Sequence, residues 1–270
     1  MYNTGAWPVS YNLEGIEEMK KKREVIKAER CGGVEGGLVL WGVVSLVLGF
    51  VSSAEAVTWE SFDYPGAEGT AIYAIDGCNI VGAYSSASDS HAFLYNGSDW
   101  TILDVPGQIS GISGSNVVGF YYTSGYSHGF VQNGTSWSTL DFPEATKTYI
   151  YGINGGNIVG TYFASNDVHG FIYNGTDWIT IDFPEEGVRT WIKDTDGGNV
   201  VGFYKDISGY SHSFIYDGVT WTMLNISEIR GISGRNIATD TGVYNLDSQV
   251  WTQLSFPGSW MTMINGIDGD

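Results

Sequence analysis

The sequence contains four histidines, and each lies two residues before a phenylalanine: His91, His128, His169 and His212. Imidazole nitrogens bind metal ions and small ligands, so a histidine that recurs in a repeat could form a set of ligand contacts. Equivalent positions of successive repeats lie apart, however, whereas zinc needs four ligands within about 2.3 Å. We therefore favour a structural histidine that hydrogen-bonds to backbone near the start of a strand. We predict no metal site and keep the four histidines as candidate ligand contacts.

Two further patterns are similar to known sites and fail at their specific positions. The run that begins at Asp194 reads DTDGGN, but Gly198 stands where a calcium loop needs a third oxygen ligand, so we interpret the run as a hairpin turn. A sialidase Asp-box would require an aspartate at Tyr216.

A catalytic centre normally breaks the symmetry of a repeat. Trp191, Lys193 and Asp194 do so in one unit, but they do not supply a nucleophile, a base and an orienting group together. We therefore predict no catalytic residue and no cofactor.

The histidines belong to a repeat that fills most of the chain after residue 57. Tryptophans recur at intervals of roughly 40 residues, at Trp59, Trp100, Trp137, Trp178, Trp221 and Trp251. The third unit divides into four β-rich runs bounded by glycine, asparagine or aspartate. These runs are Thr148–Ile153, Asn157–Tyr162, His169–Tyr173 and Trp178–Asp182.

Four antiparallel strands in a repeat of this length are typical of a propeller blade. The sequence therefore predicts an all-β fold, a β-propeller of four-stranded antiparallel blades. A β-sandwich or a β-solenoid is the alternative. Five complete copies run from about Thr70 to Ser255, with single leftover strands at Trp59–Tyr64 and Met261–Asp268. If the two leftover strands meet, they complete a ring without exposed edges, so five or six blades are expected. An incomplete ring, or a decayed fragment without an independent fold, remains an alternative.

The first 56 residues differ from the repeats. Met19 opens a basic segment, Gly37–Val51 is a 15-residue apolar run, and Ala54-Glu55-Ala56 follows. Basic, apolar and small-residue segments in this order predict a secretory signal helix, with cleavage after Ala56 and translation starting at Met19. We thus divide the chain into a signal peptide with an N-terminal extension (1–56) and a repeat domain (57–270). An uncleaved membrane anchor is the alternative. The predicted location is extracellular or at the cell surface, with no membrane association after cleavage.

The chain is strongly acidic, with a formal net charge of −18 from 12 basic and 30 acidic residues. Such a charge repels phosphate backbones, so nucleic acid is excluded as an expected partner. The only lysines and arginines after residue 57 are Lys147, Arg189, Lys193, Lys205, Arg230 and Arg235. Cys78 is the single cysteine of the repeat domain, so no disulfide within it is expected.

The order Pro-Gly-Ala, Ile-Asp-Gly, Asn-Ile-Val-Gly-x-Tyr and His-Ala-Phe between Pro65 and Phe93 resembles the HAF-type extracellular repeat family of bacteria and archaea. The resemblance covers roughly Trp59 to Asp270. It implies export and a propeller-like repeat domain, and it implies no established activity. The fifth unit departs from the pattern, because Thr241 and Val243 replace histidine and phenylalanine.

These features predict a secreted, non-catalytic binding or scaffold protein. Exposed aromatic rings such as Tyr126 and Tyr210 could stack on sugars, which makes extracellular polysaccharide the expected partner class, with a cell-surface protein as the alternative partner. A hydrolase or lyase that acts on extracellular polymers is the alternative function. The oligomeric state is left open.

Overall fold

The structure, a computed structural model, describes residues 37–41, 46–48, 60–87, 89–257 and 262–269. Within these ranges the regular secondary structure consists of β-strands. In chain order they are β1 (Gly37–Trp41), β2 (Leu46–Leu48), β3 (Glu60–Ser61), β4 (Gly69–Asp76), β5 (Asn79–Ser86), β6 (Asp89–Tyr95), β7 (Trp100–Leu103), β8 (Gln108–Ser113), β9 (Asn116–Thr123), β10 (Tyr126–Asn133), β11 (Ser136–Thr139), β12 (Lys147–Asn154), β13 (Asn157–Ala164), β14 (Asp167–Tyr173), β15 (Trp178–Ile181), β16 (Arg189–Asp196), β17 (Asn199–Lys205), β18 (Ser211–Tyr216), β19 (Trp221–Leu224), β20 (Ile229–Ser233), β21 (Asn236–Thr239), β22 (Gly242–Asn245), β23 (Val250–Gln253) and β24 (Met263–Asp268).

The described strands form six four-stranded antiparallel blades. Blade I is β4–β7, blade II β8–β11, blade III β12–β15, blade IV β16–β19 and blade V β20–β23. Blade VI has the order β24-β1-β2-β3, so it combines the end of the chain with its beginning. One parallel residue pair, Ser127 with Lys147, links blades II and III. The inner strands β4, β8, β12, β16, β20 and β24 pack each against the next and back to β4, which closes the ring.

The predicted propeller is confirmed, and the described residues hold six blades. The two leftover strands lie in the same sheet, as β3 and β24, but they do not pair with each other, because β1 and β2 lie between them. In the third unit the four predicted runs match β12–β15, and three of these strands extend beyond the predicted bounds.

The sequence predicts a signal helix over the apolar run, and the structure differs where it describes this run. Gly37–Trp41 and Leu46–Leu48 are strands rather than helix. β1 pairs antiparallel with β24, with Leu38 opposite Ile267. The physical reason is that β24 would otherwise leave a row of unpaired backbone groups at a sheet edge. The remainder of the predicted signal peptide lies outside the described residues, and the described residues include no helix long and apolar enough to cross a membrane.

The glycine of each Asn-Ile-Val-Gly run lies under the ring of the following strand's phenylalanine. Gly160 is paired with Phe171 in the ladder, and a Cβ on Gly160 would lie 2.0 Å from the Tyr149 carbonyl oxygen and 2.8 Å from the Phe171 ring. The phenylalanine of the His-x-Phe step is fully buried in blades I to IV. The repeat therefore keeps glycine and phenylalanine together, because a side chain on the glycine would displace the core ring.

Hydrogen bonds join each blade to the next where the inner strands end. In five junctions a side-chain oxygen accepts from the N–H of the turn glycine in the following blade, and in the sixth an amide donates to a carboxylate. We call this closed set the turn belt. Its bonds are Asp76 Oδ2 with Gly114 N, Ser113 Oγ with Gly155 N, Asn154 Nδ2 with Asp196 Oδ1, Asp196 Oδ2 with Gly234 N, Ser233 Oγ with Gly269 N, and Asp268 Oδ2 with Gly77 N.

Every inner strand contains a β-bulge at the same repeat position. The ladder skips one residue in each of the six blades, and bulges redirect the side chain of the extra residue. We call these six residues the bulge ring: Tyr73, Ser110, Tyr151, Lys193, Arg230 and Asn265. Tyrosine occurs twice among these six residues, and the other four are all of different types. The bulge ring therefore differs chemically from blade to blade, although the blades share one fold.

Candidate functional site

The four histidines of the His-x-Phe step occupy equivalent places in blades I to IV, one in each blade. Each ring packs on the tyrosine of the preceding strand; the ring centroids of Tyr162 and His169 are 5.0 Å apart. His169 Nδ1 lies 2.7 Å from Asp182 Oδ2, and the other oxygen of Asp182 accepts from Gly170 N at 3.2 Å. In this unit histidine and the Asp-x-Pro aspartate join the two outer strands of one blade. The partner of the histidine is a carboxylate rather than the backbone that the sequence analysis predicts.

The other histidines follow this pattern in part. His128 Nδ1 lies 2.7 Å from Asp141 Oδ2. Asn225 replaces the aspartate in blade IV, and His212 Nε2 instead bonds Asp206 Oδ2 at 2.9 Å. The hydrogen bond to His212 is the largest cause of a lowered pKa at Asp206, and N–H donors from the same loop lower this pKa further. The structure therefore does not bring the four histidines together as one site.

Tyr126 and Tyr210 lie where strands two and three of their blades meet, and they are well exposed, at 53% and 71%. They belong to blades II and IV, so blade III separates them. Among the described residues no ring contact joins one to the other. Each is a single exposed ring, and the two do not form a common platform.

A cavity of about 770 Å³ lies between blades I and II. Of the four histidines only His91 lines it. Its ring packs on Tyr84 at 5.2 Å, and among the described residues no hydrogen bond joins it to an aspartate. The polar lining consists of Tyr73, Ser90, His91, Asp104, Gln108 and Asn265.

This cavity exists because the linker between blades I and II departs from the repeat. At three other junctions the middle residue of Asp-x-Pro is a ring that stacks on a tyrosine of the next blade, at 3.7 Å for Tyr64 on Tyr84, 3.7 Å for Phe142 on Tyr162 and 3.9 Å for Phe183 on Tyr204. Between blades IV and V the equivalent residue is Ile226. Between blades I and II this residue is Val105. β8 also begins late, with six residues where β12 has eight. The missing ring and the missing residues leave the space open.

The cavity meets the axis of the propeller at the bulge ring. Tyr73 and Asn265 line both the cavity and the axial channel. Asn265 Nδ2 donates to the Ile72 carbonyl at 2.9 Å, and Ser110 Oγ donates to the Ile150 carbonyl at 2.7 Å, so both side chains are held by neighbouring blades. Burial raises the pKa of Tyr73, which keeps its hydroxyl a hydrogen-bond donor.

The bulge ring is cationic on its opposite side. Lys193 Nζ lies 4.7 Å from the centroid of the Tyr151 ring, and Arg230 pairs with Asp240. Burial lowers the pKa of Lys193, and the neighbouring Arg230 charge lowers it further, while Glu228 and Asp240 act in the opposite direction. Burial of Tyr151, with smaller effects of nearby tyrosines, raises the pKa of its phenol.

Asp194 follows Lys193 and lines the channel. Its Oδ2 accepts from Ile232 N at 2.9 Å, which ties blade IV to blade V. Burial raises its pKa to about 7, the nearby Asp196 charge adds to the rise, and the N–H donors of Ile232 and Thr195 oppose it. The carboxyl fits because glycine lies beside it: a Cβ on Gly152 would come close to its Oδ1.

The described residues contain no group of three or more His, Cys, Asp or Glu side chains placed to hold a metal ion. The cavity and the bulge ring are the parts of the site that sequence reasoning missed. In the sequence, the short linker around Val105 is the signal for the cavity. The variable residue three places before the end of each inner strand is the signal for the bulge ring. Lys193 and Asp194 are visible in the sequence as breaks in the repeat.

No protein-family model and no curated protein sequence matches the chain. Solved structures match it in fold. An acylaminoacyl peptidase bound to a chloromethyl ketone is similar with a TM-score of 0.50 and 11% identity. The match covers 79% of this chain and 41% of the peptidase, so the chain spans less than half of that protein's length. The Pyrococcus horikoshii acylaminoacyl peptidase matches over the same shares, with a TM-score of 0.48 and 12% identity.

A fungal lectin from Aleuria aurantia, described as a six-bladed β-propeller that recognises fucose, is similar with a TM-score of 0.45 and 14% identity. That match covers 84% of this chain and 88% of the lectin. At such identities the similarity concerns the fold, and peptidase activity and fucose recognition are properties of those proteins. The six closed blades define this chain as a β-propeller.

Proposed function

We propose that this chain is a secreted, non-catalytic carbohydrate-binding propeller whose ligands are extracellular polysaccharides. The observation that carries the proposal is the cavity between blades I and II. Its volume of about 770 Å³ lies within the range of small-ligand pockets, roughly 300–1,000 Å³. The secreted location rests on the predicted signal segment and on the resemblance to HAF-type extracellular repeats.

The lining of the cavity has the chemistry that a sugar needs. Carboxylate, amide and imidazole groups from Asp104, Gln108 and His91 offer acceptors and donors to hydroxyl groups. Tyr73 supplies an aromatic ring, and Leu103 and Met263 supply apolar surface for the C–H faces of a pyranose. Blades II and III have the same histidine and aspartate types, but there the two side chains bond each other, and in blade IV the histidine bonds Asp206 of its own loop. Of these histidines and aspartates, His91 and Asp104 are the ones that line the cavity.

The test is calorimetric titration of the full chain with a panel of neutral oligosaccharides. Asp104→Asn and Gln108→Ala are each expected to weaken binding about five- to tenfold, because each removes a hydrogen bond worth about 1 kcal/mol or more. Val105→Phe restores the ring found at other junctions and is expected to abolish binding by filling the cavity. Asp182→Asn, the equivalent change in blade III, is the matched control and should leave affinity unchanged.

Unchanged affinity in Val105→Phe would sink the cavity proposal, since the ligand would then bind elsewhere. Loss of binding in Asp182→Asn as well as Asp104→Asn would mean that both act through folding rather than contact. A circular-dichroism melt of each variant separates these outcomes.

A polysaccharide hydrolase or lyase is the second candidate. The observation that favours it is the adjacent pair Lys193 and Asp194. Asp194 lines the axial channel and burial raises its pKa to about 7, while burial lowers the pKa of Lys193. Product formation from an oligosaccharide that disappears in Asp194→Asn would establish this function. Binding without any new product in the wild-type protein excludes it for that substrate.

A further inference from the structure

Eight side chains of blades III and IV form a continuous line of cation–ring and ring–ring contacts, here called the lysine–aromatic chain. Three lysines each lie over a ring, with Nζ to centroid distances of 5.7, 4.7 and 5.6 Å for Lys147 over Phe163, Lys193 over Tyr151 and Lys205 over Trp191. Lys193 also lies 5.6 Å from Phe203, whose ring stacks on Trp191 at 5.1 Å. Tyr149 completes the line between Phe163 and Tyr151.

The three lysines lack the partners that an acidic protein could easily supply. Arg189, Arg230 and Arg235 each pair with an aspartate. Among the described residues no carboxylate lies within ion-pair distance of Lys147, Lys193 or Lys205, although acidic residues outnumber basic ones 30 to 12 in the chain. The lysines are held on rings instead, which orients an ammonium without neutralising it.

Lys193 is partly buried and lies over two rings, those of Tyr151 and Phe203. Asp240 is engaged by Arg230, and Glu228 and Asp240 oppose the fall in the pKa of Lys193 without offsetting it. An ammonium that is partly desolvated and not ion-paired is stabilised when an anion comes within contact distance. Tyr149, which is partly buried, stacks on Tyr151 at 6.2 Å, and Tyr122, 68% exposed, packs edge-on against Tyr149 at 6.2 Å. Ring surface therefore extends from Lys193 through Tyr151 to an exposed tyrosine.

We propose that the lysine–aromatic chain binds the acidic group of an oligosaccharide, with the carboxylate at Lys193 and the sugar ring against Tyr149 and Tyr122. The sugar part rests on the proposed function, whereas the preference for an acid does not. An isolated acidic group fits better than a densely charged polymer, because the remaining surface carries the net negative charge of the chain. A sulfate ester presents the same anionic oxygens, so carboxylate and sulfate sources are compared in the test.

The test uses the full chain and three probes of similar size: a disaccharide with one uronic acid, its methyl ester, and a monosulfated disaccharide. The uronic acid form is expected to bind about tenfold more tightly than the ester at low salt, with the preference falling as salt screens the contact. Lys193→Met keeps the stem of the side chain and should reduce the preference to about twofold or less. Arg235→Met removes a cation that lies in the turn between β20 and β21 and pairs with Asp247, and it should leave the preference intact.

Equal affinity for the acid and its ester would overturn the inference and leave the cavity proposal standing. Binding of the acid without binding of any neutral oligosaccharide would sustain it and sink the cavity proposal. Tighter binding of the sulfated probe would assign the site to sulfate esters. If Lys193→Met does not melt cooperatively, Lys147→Gln and Lys205→Gln replace it. Each should reduce the preference about threefold, and full retention in both would overturn the inference.

Discussion

Asp194 occupies an inner-strand position at which the other five blades have a small residue: Ala74, Gly111, Gly152, Gly231 and Gly266. A carboxyl at this place reaches across the junction and accepts the N–H of Ile232. Asp194 therefore bonds blade IV to blade V, but its carboxyl group is removed from water, which disfavours the charged form.

The stability of the fold should depend on the protonation of Asp194. The pKa is about 7 in the folded state against 3.8 for the free residue, so the folded state binds the proton more tightly. The stabilisation is complete below about pH 4 and is lost as pH rises through 7. At one pKa unit per 1.4 kcal/mol, the wild-type protein should lose roughly 4 kcal/mol relative to Asp194→Asn between pH 4 and pH 8.

Denaturant unfolding of both proteins across this range measures the difference, and parallel pH profiles would contradict it. Asp217→Asn serves as a control with the opposite sign. The N–H groups of Thr220 and Val219 lower the pKa of Asp217, so its stabilising contribution is present above the unfolded pKa and is lost as pH falls.

The contacts between residues were the part of the site that the sequence predicted least well. That Lys193 and Asp194 break the repeat is visible in the sequence, but that Lys193 lies over Tyr151, in the preceding blade, depends on how two blades pack. The recurrence of the histidines at one strand position was visible in the sequence, but their carboxylate partners were not, because Asp141 and Asp182 lie on the next strand of the blade. His91 differs through its surroundings, which depend on the short linker around Val105 in the next part of the chain.

At the scale of the blade, a column of side chains passes from the linker into the next sheet at three junctions. Phe142, at the end of blade II, stacks on Tyr162 of blade III, which in turn packs on His169. The linker is fastened as well, because Phe142 N donates to Thr148 Oγ1 at 3.0 Å. The Asp-x-Pro and Asn-Ile-Val-Gly-x-Tyr segments thus form one structural unit across a blade boundary.

Phe142→Val reproduces in blade II the residue found at position 105. Loss of the stacked ring should destabilise the protein by about 1–3 kcal/mol, less than for a fully buried ring because Phe142 is only partly buried. Urea unfolding measures the change, with Val219→Ala, at an 86% exposed position, as a control expected to be near neutral. A midpoint equal to that of the wild-type protein would show that the column is not a stabilising contact.

Elements were predicted well because strands and turns follow from local chemistry. Alternating β-branched and aromatic residues bounded by glycine or asparagine mark β13 and β14 nearly residue by residue. The bulges were not predicted, since a bulge depends on how two strands align. The strands β1 and β2 were not predicted either, because an apolar run of that length also suits a signal helix, and only the open edge of β24 favours extended chain.

At the scale of the whole molecule, closure depends on both ends of the chain. Blade VI draws its inner strand from residues 263–268 and its other three from residues 37–61. The turn belt passes through the same junction, where Gly77 N donates to Asp268 Oδ2 at 2.6 Å. A ring of this kind is stabilised when its first and last blades are held together, since closure removes exposed edges.

Removal of residues 1–56 should therefore lower stability. The protein that begins at Val57 lacks β1 and β2, which leaves the backbone of β24 unpaired, and it should melt at a lower temperature and associate at high concentration. The protein that begins at Met19 keeps all strands of blade VI and is the matched control. Differential scanning calorimetry with light scattering makes the comparison, and identical monomeric melts would show that β1 and β2 do not contribute to closure.

The segment that contains β1 and β2 has two incompatible uses, as strands of blade VI and as the apolar part of the predicted export signal. A polypeptide that has closed its ring holds these residues in a sheet, where a translocation channel or a peptidase has no access to an extended apolar leader. If the leader is used for export, passage across the membrane has to precede assembly of blade VI, and the cleaved product then needs a substitute strand along β24. The timing of folding relative to transport would thus decide which of two molecules this gene yields.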